Sequence, residues 1–131
     1  MIMVDSSVWI NFFRGVSNET TDKLFNLLRS ELVCVADLIV LEVLQGVSSD
    51  KEFNEIEFLF RNMLSLNILN METAIQSAQN FRFLRKRGIT IRKLNDCLIA
   101  TYCIENNLTL LQDDKDFLPF RDFLGLRLLT N

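Results

Sequence analysis

Histidine is absent from all 131 residues, which excludes Ser-His-Asp and Cys-His catalysis and any imidazole general base. Cysteine is scarce: Cys34, Cys97 and Cys103 form no CxxC pair, so the closely spaced Cys and His sets of zinc sites are missing too. Cys97 and Cys103 read as small core residues rather than nucleophiles. Pro119 is the only proline, and no Pro/Gly-rich linker, internal repeat or low-complexity stretch divides the chain. One domain over residues 1–131 is therefore expected, long enough to bury a core without disulfide or metal staples. No apolar run approaches the roughly 18–20 residues of a membrane span. The opening MIMVDSSVW lacks a basic n-region and a small-residue cleavage site, so the expectation is a cytoplasmic protein with no membrane partner. Chemistry is left to carboxylates, hydroxyls, Lys and Arg, with a hard metal ion.

What is present fits a soluble globular protein, with 49% apolar and 24% charged residues. The formal net charge of −3 argues against a nucleic-acid binder, but the charges are unevenly placed. Thr73 to Asn95 holds no acid, yet it contains Arg82, Arg85, Lys86, Arg87, Arg92 and Lys93, six of the fourteen basic residues. A solvated helix face is the ordinary meaning of such a run. Its position just before Asp96 also allows a positive surface beside a site.

Short apolar runs alternate with longer helical patterns, the mark of an α/β fold with a parallel sheet. Ile2-Met3-Val4 reads as a strand, followed by a helix from Val8 to about Phe13 that Ser6 or Ser7 can cap and Gly15 ends. Thr20 to Ser30 has helical spacing, Leu32 to Val35 reads as a strand, and Asp37 can cap a helix ending at Gly46. Ser49-Asp50-Lys51-Glu52 has capping-box spacing and starts a helix from Asp50 to about Met63. Leu66 to Leu69 is the third strand, and Asn70 caps a helix from Glu72 to Arg87 that Gly88 terminates. A helix from about Arg92 to Asn106, a strand from Leu108 to Leu111 and a last strand at Arg127-Leu128-Leu129 complete the pattern. The order suits a three-layer α/β/α sandwich with a central, mainly parallel sheet. Functional groups in such folds gather at the carboxyl ends of the strands.

Four acidic positions stand out. Asp5 directly follows the first strand, where it is as well placed to cap a helix as to serve a site. Glu42 lies in Leu38-Ile39-Val40-Leu41-Glu42-Val43-Leu44, apolar on all sides until Gln45. Such a helix is expected to be buried, and a buried unpaired carboxylate is costly. Asp96 shares a face with Ala100 and Cys103, so it looks inward; the helix N-terminus alone, worth roughly 0.3–1 kcal/mol, would not offset that burial. Asp113-Asp114-Lys115-Asp116-Phe117 follows a strand, where three acids in four residues repel unless a cation compensates; Asp113 suits a plain solvated turn. Together the four positions put carboxylates at one edge of one sheet, where a divalent cation would neutralise them. An all-oxygen set suits Mg²⁺ or Mn²⁺, and the matching chemistry is metal-assisted phosphodiester hydrolysis.

These segments resemble the motifs of PIN-domain proteins, particularly VapC-like toxins of bacterial toxin–antitoxin pairs. Ile2-Met3-Val4-Asp5-Ser6-Ser7-Val8-Trp9-Ile10 is similar to their opening, and Leu41-Glu42-Val43-Leu44-Gln45-Gly46 to their second motif. Leu94-Asn95-Asp96-Cys97-Leu98-Ile99-Ala100 resembles the third, and Leu110-Leu111-Gln112-Asp113-Asp114-Lys115-Asp116-Phe117 the fourth. Gln112 departs from the Thr or Ser of many relatives. The resemblance implies a metal-dependent endoribonuclease acting on RNA, usually a homodimer, held inactive by a small cognate antitoxin. By motif, Asp5 and Asp96 would hold the metal, Glu42 and Asp114 would complete the acidic pocket, and Asp116 would be a fifth member. Beside the family reading, Arg85, Arg87, Arg92 and Lys93 are candidates for RNA phosphate contacts.

Two other readings compete. A receiver-type phosphoacceptor domain has similar length and acid-held Mg²⁺, but here Asp5 is followed by two serines, the third strand ends at Asn70, and no Lys lies after Lys115. A catalytically silent module that only binds RNA or protein keeps the fold; intact Asp5, Glu42, Asp96 and Asp114 speak against it.

Overall fold

A computed structural model describes residues 1–129; Thr130 and Asn131, which fall within the expected 1–131 domain, lie outside the described residues. The elements run β1 (Ile2–Val4), α1 (Ser6–Phe13), α2 (Glu19–Leu27), β2 (Val33–Ala36), α3 (Asp37–Leu44), α4 (Asp50–Arg61), β3 (Leu64–Leu66), α5 (Met71–Lys86), α6 (Leu94–Glu105) and β4 (Thr109–Leu111). A 3-10 turn (Lys115–Phe117), α7 (Leu118–Leu124) and β5 (Arg127–Leu128) follow. The described strands form one sheet in the order β3-β2-β1-β4-β5, and every pairing is parallel. The sheet thus starts in its middle, grows to one side through β2 and β3, and then jumps to the other through β4 and β5. Right-handed crossovers send the first two pairs of helices to one face and the later helices to the opposite face. The packing agrees: α1 lies on α2 and α3, α3 on α4, and α5 on α6 and α7. This is the expected three-layer α/β/α sandwich. The strand order also removes the receiver-type reading, whose sheet runs 2-1-3-4-5.

Local chemistry explains most boundaries. Ser49 caps α4 by accepting from the Glu52 N–H at 3.3 Å, and Asn70 caps α5 by accepting from the Thr73 N–H at 2.9 Å. Asp5, rather than Ser6 or Ser7, caps α1. Asp37 is the first residue of α3, with Ala36 at the cap; its Oδ1 accepts from the Leu38 and Ile68 N–H groups at 2.9 and 3.1 Å. That contact corrects the third strand, expected at Leu66 to Leu69. The Ile68 N–H goes to Asp37 rather than to a neighbouring strand, so β3 ends at Leu66. α6 starts at Leu94 rather than Arg92, since Lys93 is the cap and its backbone is extended.

The core holds Cys34, Cys97 and Cys103, all buried, as Cys97 and Cys103 were expected to be. An aromatic group fixes α1 behind Asp5. Trp9 is fully buried, stacked on Phe13 at 5.6 Å and edge-on to Phe60 at 5.1 Å. Among the described residues its Nε1–H has no hydrogen-bond partner. Trp9→Ala is therefore expected to cost about 3–5 kcal/mol in urea unfolding. Trp9→Phe should cost less than about 1.5 kcal/mol, since it also removes the unsatisfied donor; equal losses would refute this account of the aromatic group.

Candidate active site

The sheet itself places the first carboxylate. β1 and β4 pair with Val4 opposite Leu111, and the Asp5 N–H donates to the Leu111 carbonyl at 2.9 Å. The segments leaving both strands therefore emerge side by side at the carboxyl edge, at the point where the strand order reverses. Asp5 is 3% exposed. Its Oδ2 accepts from the Ser7 N–H at 3.1 Å and the Ser7 hydroxyl at 2.7 Å, while Oδ1 is buried without a partner. The cap and the site share one residue, each using one oxygen. Burial raises the Asp5 pKa above the usual carboxylate value, the Ser7 and Ser6 hydrogen bonds oppose this, and the charge of Asp114 adds to it.

Asp96 sits in the first turn of α6 and is 4% exposed. Ala100 and Cys103, on the same face, are fully buried, so the inward orientation read from the sequence holds. Its Oδ2 lacks a hydrogen-bond partner. Burial, then the charge of Asp5, pushes the Asp96 carboxyl up to about 7, against the pull of Lys93. Glu42 is half-buried on α3, and its Oε1 is buried and unpartnered. Its pKa is raised by burial and by Asp5, while the side chains of Asn95 and Ser6 and the charge of Lys93 pull it down. The surrounding helix is less enclosed than its apolar run suggested: Leu41 is 60% exposed, because α3 packs on α1, α4 and β2 and leaves its remaining side open.

The loop after β4 supplies the rest. Asp114 Oδ1 accepts from the Asp116 N–H at 2.9 Å, capping the 3-10 turn, and the buried Gln112 side chain accepts from the Asp114 N–H. Gln112 therefore braces the loop. Asp113 is exposed, as a turn residue should be. Lys93 Nζ donates to Asp114 Oδ2 at 2.8 Å, and Arg92 Nη2 donates to both oxygens of Asp116 at 3.0 and 3.3 Å. Burial alone would raise Asp114. The Lys93 hydrogen bond, the Asp116 N–H and the charges of Lys93 and Arg92 outweigh it and hold the carboxyl below its usual value. Arg92 and Lys93 thus stand at the acids. Arg85 and Arg87 rest instead on Phe81 and Phe83 of their own helix, at 5.6 and 3.5 Å from the ring centres.

Among the described residues one set of acids brings its oxygens within reach of a shared cation, and other buried acids act on it. Asp96, Asp114 and Asp116 each offer an oxygen within 4.8 Å of the others, but Asp114 and Asp116 are already paired with Lys93 and Arg92. Among the described residues, the buried carboxylate oxygens without a hydrogen-bond partner belong to Asp5, Glu42 and Asp96. Buried acceptors without donors also suit a divalent cation, and Asp96, raised by burial and by the charges of Asp5, Asp114 and Glu42, belongs to both groups. Three supporting residues escape a sequence reading: Ser7, whose hydroxyl joins Asp5 to the Asp113 N–H at 3.1 Å, and Asn95 and Ser6 beside Glu42. The only sequence signal was their adjacency to Asp5 and Asp96.

The family model of the PIN domain matches residues 2–121. A VapC ribonuclease of Mycobacterium bovis is 31% identical over 119 residues, 89% of each chain, and Ribonuclease VapC11 of Mycobacterium tuberculosis matches equally. In structure, the VapBC2 complex of Rickettsia felis bound to promoter DNA superposes with a TM-score of 0.75 at 20% identity, covering 98% of this chain and 97% of that one. FitAcB from Neisseria gonorrhoeae gives a TM-score of 0.73 at 19% identity, covering 98% and 96%. The four acidic segments all fall within the matched residues, and the chain belongs to the PIN-domain family, among its VapC-like members.

Proposed function

We propose that residues 1–131 form one nuclease domain, a Mg²⁺-dependent endoribonuclease that also accepts Mn²⁺ and acts as the toxin of a toxin–antitoxin pair. The observation that carries this reading is the acidic cluster at the carboxyl edge of the sheet, where Asp96, Asp114 and Asp116 each offer an oxygen within 4.8 Å of the others and the charges of Asp5 and Glu42 act on Asp96. The ribonuclease names of the relatives and the antitoxin complexes among the structural neighbours support it. Asp5 and Asp96 would hold the cation, with Glu42, Asp114 and Asp116 completing the acidic pocket, directly or through metal-bound water. When bound, the metal supplies Lewis acidity toward the phosphate and makes water a better nucleophile near neutral pH. Ser7 fixes the Asp5 carboxylate through Oδ2, leaving Oδ1 directed to the site. Arg92 and Lys93 offer cationic groups for the RNA backbone at the pocket, and Arg85 and Arg87 extend that surface along α5.

The protein works in the cytoplasm as a homodimer, restrained by a small cognate antitoxin; no described helix is long and apolar enough to cross a membrane. Exposed Leu69, Met71, Ile75 and Leu94 provide apolar surface for assembly. Purified protein is expected to cleave RNA with Mg²⁺ or Mn²⁺, and EDTA should reduce the rate by about a hundredfold or more. Cleavage that persists in EDTA would overturn the metal mechanism. Expression should arrest growth, with relief by a small protein encoded alongside; harmless expression of the active enzyme would remove the toxin role.

A further inference from the structure

Lys93 lies at the mouth of the acidic pocket, just before α6. Its Nζ is 2.8 Å from Asp114 Oδ2, 3.9 Å from Asp96 Oδ2 and 3.9 Å from Asp116 Oδ2, and these three acids are the ones whose oxygens approach within 4.8 Å of one another. An ammonium held by three carboxylates stands where a cation ligated by them would stand. Both Asp114 oxygens are engaged, Oδ1 by the Asp116 N–H and Oδ2 by Lys93. A metal drawing on Asp114 through Oδ2 must therefore displace the lysine. Two positive charges at such separations also repel strongly in a poorly hydrated pocket.

We propose that Lys93 is a built-in competitor for the divalent cation, its ammonium and the metal holding the same carboxylates in turn. The inference rests on the reading of this pocket as a cation site. Displacement is feasible because the Lys93 side chain is 55% exposed and its ammonium, on a flexible four-carbon stem, can swing into water. The backbone need not move, since Lys93 caps α6 with its main chain and makes no side-chain cap bond. Arg92 differs: it reaches only Asp116, so it opposes the metal less directly. Lys93 thereby sets the metal affinity, neutralises the acids while metal is absent, and is freed toward the substrate side when metal enters.

The test is calorimetric titration of Mn²⁺ into the full chain and its variants at low salt. Lys93→Met is expected to bind Mn²⁺ about tenfold more tightly than wild type, equivalent to ~1.4 kcal/mol, while its metal-free form melts at a lower temperature. Lys93→Arg, which keeps the charge, should stay within about twofold of wild type, and Arg92→Met should gain less than Lys93→Met. A purely structural lysine would lower stability without tightening metal binding. Equal or weaker Mn²⁺ binding by Lys93→Met, with the wild type binding normally, overturns the competition and leaves the metal site intact. Absence of Mn²⁺ binding by wild type and variant alike overturns both. The wild type gives an independent readout that needs no variant: Mg²⁺ saturation should shift the Lys93 Nζ resonance in ¹⁵N spectra, and an unmoved resonance rejects the exchange.

Discussion

Asp96→Asn is expected to lower RNA cleavage by about three orders of magnitude while making the metal-free protein more stable near neutral pH. The two effects have one cause. Asp96 is 4% exposed, its Oδ2 has no hydrogen-bond partner among the described residues, and the like charges of Asp5, Asp114 and Glu42 act on it against the pull of Lys93. An ionised carboxylate held there is opposed both by desolvation and by repulsion. The amide of Asn is neutral and nearly the same size, and its N–H groups can donate to the surrounding acids. Relief of on the order of 1–3 kcal/mol is expected in denaturant unfolding with EDTA, since a buried charge crowded by like charges is replaced by a satisfiable polar group. The same substitution removes a ligand that the cation needs. Stability given up for a functional site behaves in this way. Cleavage close to wild type would remove Asp96 from the site, and a destabilised metal-free variant would contradict the account of its burial.

This strain was partly legible in the sequence. Asp96 could be read as inward because Ala100 and Cys103 fall on its face, and an i, i+4, i+7 pattern survives folding unchanged. Asp5 could be read only as a cap or a ligand, since a one-dimensional pattern does not show that each oxygen can do a different job. The reading of Glu42 as enclosed rested on an apolar helix; its Oε1 is buried, yet Leu41 faces out, because burial depends on which neighbours cover the helix. β3 shows another boundary. It is an edge strand with Leu64 and Ser65 exposed, so it lacks the alternating signature of a half-buried strand. The apolar run that looked like the strand includes Ile68, buried under the Asp37 contact. Lys93 was hardest to read. Its partner Asp114 lies 21 residues away, and only the packing of α6 against β4 and the 3-10 turn brings the segments before α6 and after β4 together. A run of basic residues outside an acidic site looks the same in sequence whether its members face solvent or reach inward.

The pH dependence of stability should expose the carboxylate cluster directly. In EDTA the melting temperature is expected to fall as pH rises from about 5 to about 8, the reverse of ordinary acid denaturation. The sign follows from Asp96, whose carboxyl moves from 3.8 to about 7 on folding. Between those values the folded chain keeps a proton that the unfolded chain releases, so stability declines as the proton is lost. The full excursion is worth on the order of 4 kcal/mol, a large part of the roughly 5–15 kcal/mol of a typical domain. Asp5 and Glu42 are raised as well and act in the same direction. Asp114 is lowered and acts oppositely: its contribution is present above its unfolded value and disappears as pH falls through the folded one. A stability maximum near pH 4–5 should result. Mg²⁺ favours the ionised carboxylates, so saturating metal should flatten the decline and recover about 2.7 kcal/mol at a hundred times its dissociation constant. Asp96→Asn should reduce the slope even without metal, leaving the part that Asp5 and Glu42 contribute. A metal-free melting temperature that stays level or climbs across this interval would falsify the assignment of the buried acids as the protein's site of stored repulsion.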